Sequence, residues 1–232
     1  MTDRLTVEWP DRRVFSARNG QPLRVLAVSD EPEPALDSAR TRQAIGHLDL
    51  LIGCGDLEPD YLTFLADAFG APLHYVRGNH DAGAAWTSAE RNLLPDPMPE
   101  ASPFGEAGLT LIGFSGSPRY SHDSQLGRGP EVSGIGMWQR VLLAWLRLVG
   151  RGPLIVVSHA APRGLNDAPD VAHRGFTSFR WFLDRVRPPL WLHGHTALVR
   201  RGIDGRSLRH DGTLLVNVSG AALIELVPPR AS

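Results

Sequence analysis

The chain has 232 residues, enough for one large domain over residues 1–232, and 42% of them are hydrophobic, enough for a sizeable core. Its formal net charge of -1 argues against a general nucleic-acid-binding or membrane-binding surface. Cys54 is the only cysteine, so an intrachain disulfide is excluded and a reducing compartment fits. Residues 1–13 lack the apolar core of a signal peptide, and no apolar run is long enough to span a bilayer, so we expect a cytoplasmic protein.

The first part of the chain contains one clear strand. Residues 1–20 are mostly polar and predict an N-terminal arm or an edge hairpin. The apolar residues 23–29 predict a buried strand that ends at Asp30. Pro34 follows, and its fixed φ suits the first turn of a helix that we expect to run to about Ala44.

Residues 50–81 form the unit around which the rest of the chain is organised. Two short apolar runs, 50–52 and 73–76, lead to Gly55-Asp56 and to Gly78-Asn79-His80-Asp81, and short apolar runs bounded by glycine are typical of buried strands in a parallel sheet. Apolar side chains at helical spacing predict a helix from about Asp60 to Phe69 between them. Polar groups then follow each strand at the carboxyl-end edge, where open α/β sheets bind their ligands.

The second half continues the alternation of helices and strands. Residues 84–94 predict a helix, 109–114 and 154–158 predict strands, and 190–192 lead into another strand end. A helix near 138–149 is expected to bury one apolar face, formed by Trp138, Val141, Leu142, Trp145, Leu146 and Val149. A later helix is expected to turn Phe176, Phe179, Phe182, Leu183 and Val186 inward. Asp204-Gly205 and Asp211-Gly212 are hairpin signals, so residues 198–227 predict an antiparallel β-meander.

The strand ends deliver carboxylate, amide and imidazole groups to one edge of the predicted sheets. In chain order these groups are Asp30, Asp56, Asn79-His80-Asp81, His159 and His193-Gly194-His195. Each one alone is explained as well by a turn, a cap or a hydrogen-bonded core histidine. Together they indicate a cation, because clustered buried charge is costly without one. Mixed oxygen and imidazole ligands suit Mn²⁺, Fe²⁺/Fe³⁺ or Zn²⁺ better than Ca²⁺ or Mg²⁺.

These motifs resemble those of the calcineurin-like metallophosphoesterases. The resemblance rests on Asp30, Gly55-Asp56, Gly78-Asn79-His80-Asp81, the apolar run into Ser158-His159, and Gly194-His195-Thr196. It extends from about Leu23 to Asn217, with the order, spacing and strand context in agreement. The family implies an α/β (α+β) fold, a four-layer αββα sandwich of two mixed β-sheets with helices on the outside.

The resemblance also implies roles for these residues. Asp56 would bridge two metal ions, and Asp30 would belong to the first of them. The ligands of the second ion would be completed by Asn79, His159 and His195. The imidazole of His80 would lie near the scissile phosphate, where it would protonate the leaving oxygen or stabilise negative charge, and Asp81 would orient it.

This sequence departs from the family pattern at two places. Asp30 is followed by Glu31-Pro32 where the family has Asp-x-His, and His195 is followed by Thr196-Ala197 where it has Gly-His-x-His. Both missing imidazoles would bind the first metal, so one or two ions per chain are possible. Three interpretations follow. One well-held metal suffices, with the first absent or loose; Glu31 or His193 replaces a ligand; or hydrolysis is lost and a phosphate-binding cleft remains.

Substrate-binding candidates lie in the loops that follow these strands. Arg163, His173 and Arg174 follow His159, and guanidinium groups there could bind phosphate oxygens in a bidentate manner. Arg119 and His122 are further candidates. The alternative is that these side chains pair on the surface with acidic neighbours, namely Asp167, Asp170 and Asp123.

The resemblance implies a metal-dependent phosphoesterase in which a metal-activated water attacks a phosphomonoester or phosphodiester. The partner would be a small phosphate ester or a nucleotide. Two alternatives from other classes are a catalytically weakened or inactive phosphate- or nucleotide-binding protein and a scaffold whose metal is structural.

Overall fold

Two facing β-sheets form the centre of the structure, a computed structural model that describes residues 3–87, 93–120, 129–148, 150–198 and 202–230, with only the backbone at 203 and 204. Among these residues the strands are β1 (Asp3–Glu8), β2 (Leu23–Ser29), β3 (Leu50–Gly53), β4 (Leu73–Tyr75), β5 (Phe104–Glu106), β6 (Leu109–Phe114), β7 (Ser117–Pro118), β8 (Glu131–Val132), β9 (Leu154–Ser158), β10 (Leu190–His193), β11 (Ser207–His210), β12 (Thr213–Asn217) and β13 (Gly220–Val227). The helices are α1 (Arg13–Ser16), a 3₁₀ helix (Pro34–Asp37), α2 (Ala39–Ile45), α3 (Pro59–Phe69), α4 (Ala84–Thr87), α5 (Gly134–Leu148), α6 (Thr177–Val186) and α7 (Ile203–Arg206).

Helices cover the outer face of each sheet, which gives four layers. The first sheet has the order β1-β13-β2-β3-β4 and the second β11-β12-β10-β9-β6-β5, while β7 and β8 pair separately. Side chains such as Val25 and Ile155 fill the core between the two sheets. Leu62 of α3 belongs to a second core on the first sheet, and Phe179 of α6 to a third on the other sheet. The predicted αββα sandwich is therefore confirmed.

Parallel pairing brings the predicted strand ends to common edges. In the first sheet β2, β3 and β4 are parallel to one another, and in the second β6, β9, β10 and β12 are parallel. These strands are buried on both faces, as their continuous apolar runs predict. Helix α3 begins with Pro59 in its first turn and ends at Gly70 in the left-handed region, so it spans the predicted segment between β3 and β4.

Both chain termini differ from the prediction. Strand β1 pairs in parallel with β13, which separates it from β2, so an N-terminal hairpin is wrong and β1 is an edge strand. Strands β11 and β12 form the antiparallel pair expected at Asp211-Gly212, but α7 occupies the predicted turn at Asp204-Gly205. Strand β13 crosses to the other sheet, so the single meander is also wrong. Its residues are buried on both faces, which suits an internal strand.

Helix α5 buries only part of the predicted face: Val141 is buried as predicted, and Val149 lies outside the described residues. Its buried residues are Met137, Val141, Ala144 and Leu148. Leu142 and Leu146, which were expected inside, are 43% and 64% exposed. The helix is apolar around most of its circumference, so helical spacing fitted more than one face. Trp138 and Trp145 contact Trp181 of α6 with ring centroids 5.6 and 5.9 Å apart.

Two shorter predictions are modified. The helix expected from Pro34 to Ala44 is divided at Ser38, whose extended backbone separates the 3₁₀ helix from α2. The helix expected over 84–94 is described only as α4, because 88–92 lie outside the described residues. The inward face of α6 is confirmed by its buried phenylalanines. Of the helices in the described part of the chain, none has the length and hydropathy needed to cross a bilayer.

Candidate metal centre

Three side chains from three strand ends converge at the shared edge of the sheets. The Nε2 atom of His159, which follows β9, lies 3.0 Å from Oδ1 of Asn79, which follows β4. The same Nε2 atom lies 3.2 Å from Oδ2 of Asp56, which follows β3. His159 and Asn79 have no exposed surface, so these contacts are shielded from solvent.

The tautomer of His159 shows that its Nε2 and the two facing oxygens need a proton or a cation between them. Its Nδ1 lies 2.8 Å from the carbonyl of Cys54 and must donate there, because a carbonyl oxygen only accepts. In a neutral ring Nε2 then carries a lone pair, which faces two further acceptor oxygens. Only a proton or a cation can satisfy all three atoms. Although burial lowers the pKa of His159, the hydrogen bond and charge of Asp56 outweigh it and raise that pKa to about 9.

His195 brings a second imidazole to the group. Its ring centroid lies 4.7 Å from that of His159. Its Nε2 lies 2.7 Å from the carbonyl of Ala172 and donates to it, which leaves Nδ1 as the atom available to a cation. One potential ligand atom from each of Asp56, His159 and His195 lies within 4.8 Å of the others. Two imidazoles, a carboxylate and an amide oxygen are a suitable ligand set for Mn²⁺, Fe or Zn²⁺.

Two of the turns at this edge need glycine for space. A Cβ atom at Gly78 would overlap the carboxylate of Asp56, and one at Gly194 would overlap the hydroxyl of Ser29. Both are contacts between elements that meet only in the folded protein. The glycines therefore allow the strand ends to approach closely enough for their side chains to converge.

Asp30 is close to the centre but is bonded to the backbone. Its two carboxylate oxygens accept from the backbone N–H of His195 at 2.9 and 3.1 Å. Burial raises the pKa of Asp30, and the charge of His159 opposes that effect. The structure thus brings Asp30 beside His195, where it stabilises the turn that carries the imidazole.

Neither replacement considered for the missing imidazoles joins the group. Glu31 is exposed to solvent. His193 is fully buried, and its Nε2 has no hydrogen-bond partner among the described residues. Leu190 and Leu192 lie in the core between the sheets, so strand alternation places His193 on the opposite face with Trp191. Burial lowers the pKa of His193 to about 4.

The imidazole of His80 is exposed, and Asp81 does not orient it. The backbone N–H of His80 donates to Oδ1 of Asp56 at 2.8 Å. Oδ2 of Asp81 instead accepts from the backbone N–H groups of Gly78 at 2.6 Å and Asp56 at 3.0 Å. The expected His80–Asp81 side-chain pair is therefore wrong; Asp81 holds together the two turns that carry Asp56 and Asn79. Burial raises the pKa of Asp81 to about 7.

Of the predicted substrate-binding residues, His173 is placed against a candidate ligand, His195. Its ring centroid is 5.2 Å from that of His195, and its Nδ1 is 2.8 Å from Oδ1 of Asp170. Arg163 lies 3.9 Å from Asp167, the surface pairing considered as the alternative. Arg174 donates to the carbonyl of Pro169, and Arg119 is exposed. His122 and Asp123 lie outside the described residues.

Sequence reasoning missed three groups that contact the candidate ligands. Two are the carbonyls of Cys54 and Ala172, which carry no side-chain signal. The third is the hydroxyl of Tyr120, which accepts from Nδ2 of Asn79 at 3.2 Å. Tyr120 lies between Arg119 and His122, two residues selected as candidates, so its position next to them was the available signal.

Comparisons with known proteins bear on the family and the fold of the chain. The family model described as calcineurin-like phosphoesterase matches residues 37–198. One solved crystal structure is 16% identical over 88% of this chain and 95% of its own, with a TM-score of 0.60. The crystal structure of TT1561 of Thermus thermophilus is 13% identical over 86% of this chain and 90% of its own, with a TM-score of 0.54. No curated protein matches the sequence.

At these identities the solved structures establish the fold alone, whereas the family match covers more than half of the chain. The matched range includes Asp56, Asn79, His159 and His195. The chain belongs to the calcineurin-like phosphoesterases.

Proposed function

We propose that the protein is a metal-dependent phosphoesterase that hydrolyses a phosphomonoester or phosphodiester. The observation that supports this most directly is the convergence of Nε2 of His159 with Oδ1 of Asn79 and Oδ2 of Asp56. With His195, these residues would hold one metal cation, Mn²⁺, Fe²⁺/Fe³⁺ or Zn²⁺. When bound there, the cation would polarise the phosphoryl oxygen and lower the pKa of water.

The remaining roles fall to groups that surround this set. The backbone N–H of His80 donates to Asp56, which holds this residue beside the centre. Its imidazole is exposed, so the ring is available to protonate the leaving oxygen. His173, beside His195 and held by Asp170, is suited to contact a phosphate oxygen. Arg163, Arg174 and Arg119 are proposed as substrate-binding residues with less support. Arg163 pairs with Asp167, and Arg174 donates to the carbonyl of Pro169.

The contacts of Asp30 support a centre with one tightly held cation. Its carboxylate oxygens already accept from a backbone N–H, and Glu31 and His193 do not join the group. A weakly held second ion would have little more than Asp30 and the shared Asp56 to bind it. Measurement of metal content per chain, with each ion located by anomalous scattering, tests this directly.

The same observations favour one alternative. If the first metal position is lost, the protein could bind a phosphate group or nucleotide without hydrolysing it. A scaffold with a purely structural metal would also lack turnover. For both the enzyme and the non-hydrolysing binding protein, the expected partner is a phosphate ester or nucleotide.

Two further proposals concern the chain as a whole. The buried, unpaired thiol of Cys54 supports a reducing compartment such as the cytoplasm. The proposed unit is one domain over residues 1–232.

Turnover of p-nitrophenyl phosphate and bis-p-nitrophenyl phosphate with added Mn²⁺, Fe²⁺ or Zn²⁺ separates the enzyme from both alternatives. We expect hydrolysis by the wild type and a loss of about 10²- to 10⁴-fold in His80→Ala. His47→Ala is the matched control, because His47 is exposed and pairs with Asp49 rather than with the centre. Absence of turnover with every one of these metals would overturn the hydrolase proposal for these ester classes.

A further inference from the structure

Three candidate ligands, His159, His195 and Asn79, have two polar atoms at opposite ends of the side chain. In each of them, the atom that faces away from the centre makes a hydrogen bond to another group. The carbonyl of Cys54 accepts from Nδ1 of His159, and the carbonyl of Ala172 accepts from Nε2 of His195. The third ligand of this kind is Asn79. Its Nδ2 donates to the hydroxyl of Tyr120 at 3.2 Å. Tyr120 is the only one of these three partners that acts through a side chain.

The orientation of the Asn79 amide decides whether this residue can be a ligand. An amide has an oxygen that binds cations at one end and an NH₂ group that repels them at the other. Asn79 is fully buried, so solvent cannot compensate for a reversed amide. In the observed orientation Oδ1 faces Nε2 of His159 and Nδ2 faces Tyr120. In this orientation the hydroxyl of Tyr120 accepts from Nδ2 and holds the end of the amide that faces away from the centre, which keeps Oδ1 directed towards His159.

The backbone around Tyr120 is tied to the strand that carries Asn79. The N–H of Gly116 donates to the carbonyl of Arg77 at 2.7 Å, and the N–H of Arg77 donates to the hydroxyl of Ser115 at 3.2 Å. On the other side, the N–H of Arg119 donates to the carbonyl of Val132 at 3.2 Å. Two anchored segments thus hold Tyr120 in position over the Gly78-Asn79 turn.

We infer that Tyr120 is a positioning residue of the metal centre: its hydroxyl fixes the Asn79 amide with Oδ1 towards the cation. This inference rests on the proposed function, since it needs Asn79 to be a ligand. Outer groups that orient metal ligands typically change metal affinity by about 10- to 100-fold when they are removed. A role of this kind acts entirely through Asn79, which makes it separable from a general effect on folding.

The test uses Tyr120→Phe in the full chain and Mn²⁺ as the probe, with affinity measured by isothermal titration calorimetry. We expect affinity to fall about 10- to 100-fold, whereas the thermal unfolding temperature of the metal-free protein falls only by the small amount expected for one lost hydrogen bond. Tyr75→Phe is the matched control. Its hydroxyl makes a hydrogen bond too, donating to the carbonyl of Pro95, but Tyr75 lies in the core beneath α3 and outside the ligand group. This control should keep the wild-type affinity.

A double-mutant cycle with Asn79→Ala identifies the route of the effect. If Tyr120 acts through Asn79, the double variant binds Mn²⁺ no more weakly than Asn79→Ala alone. Multiplicative losses, an equal loss in Tyr75→Phe, or unchanged affinity in Tyr120→Phe while Asn79→Ala loses affinity would each overturn the inference. Unchanged affinity in Asn79→Ala would instead refute the ligand assignment in the proposed function, and the inference would fail with it.

Discussion

The two halves of the candidate metal centre differ in the groups that their polar atoms face. In the half formed by Asp56, Asn79 and His159, side-chain atoms with lone pairs face one another at 3.0 to 3.2 Å. In the half formed by Asp30 and His195, the carboxylate faces a backbone N–H at 2.9 and 3.1 Å. The first half is left with acceptors that need a cation or a proton. In the second half the Asp30 carboxylate is already satisfied within the protein, and Nδ1 of His195 is the atom that remains for a cation.

This difference suggests that a carboxylate at a strand end is not by itself a metal ligand. An ionised carboxylate gains from any good donor, and a backbone N–H held at the right distance is one. Asp30 retains the position that the family motif implies, but the imidazoles that would share its metal are missing. We therefore interpret Asp30 as a group that holds the His195 turn. The predictions below test whether the two halves are as unequal as their contacts indicate.

The largest effect is expected at Asp56, which belongs to the first half. Asp56→Asn replaces the carboxylate that faces His159 by a neutral amide, so both the charge and one ligand oxygen are lost. We expect Mn²⁺ affinity to fall by more than about 100-fold in calorimetric titration, more than for a group that only orients a ligand. Asp60→Asn on the exposed start of α3 is the matched control and should bind Mn²⁺ as the wild type does. Retained affinity in Asp56→Asn would contradict the ligand set.

Gly78→Ala should have the next largest effect. A Cβ atom there would overlap the Asp56 carboxylate, so the turn that carries Asn79 must move away from β3. Overpacking of this kind costs about 1 to 3 kcal/mol in the free energy of unfolding. We expect lower stability in urea together with weaker Mn²⁺ binding. In the control Gly134→Ala, where a Cβ meets no atom within 4 Å, neither quantity should fall. If both variants behaved alike, the close approach would not matter.

The strand ends of the site were predictable because they depend on short-range patterns. Apolar runs such as 23–29 and 154–158 end at the residues where the structure ends β2 and β9, and parallel pairing within each sheet aligns these ends with those of neighbouring strands. The ligand candidates Asp56, Asn79, His159 and His195 converge as those patterns predict. Their order along the chain and their strand context carry that information.

The partners of each group were not predictable, because they depend on contacts between distant segments. No local pattern indicates that Asp81 would bond to the backbone at Gly78 and Asp56 rather than to His80. The buried face of α5 was predicted only in part, since Val141 is buried but Leu142 and Leu146 are not; on an all-round apolar helix, tertiary contacts choose the face. Such choices are made by packing, which local spacing does not encode.

A smaller effect is expected at Asp30. In Asp30→Asn the amide oxygen can still accept from the His195 N–H, so the turn keeps one of its two hydrogen bonds to this residue. We expect Mn²⁺ affinity at the main site to fall less than about 10-fold, with the protein still binding one ion per chain. Calorimetry measures the affinity, and mass spectrometry of the metal-loaded protein measures the number of ions per chain. A change from two tightly bound ions in the wild type to one in Asp30→Asn would show that Asp30 is a ligand after all.

The smallest effect is expected at Glu31, the nearest alternative source of a ligand for the second half. Its side chain is exposed and lies outside the group of converging ligand atoms, so Glu31→Gln removes a charge without removing a contact to the centre. We expect Mn²⁺ affinity and metal content to stay within about twofold of the wild type, because exposed charges interact weakly through solvent. Repeating the titration at low and high salt separates a long-range charge effect, which salt removes, from coordination, which it does not. A loss of bound metal in Glu31→Gln that persists at high salt would mean that Glu31 turns inward when metal binds, and that the two halves are more equal than their contacts suggest.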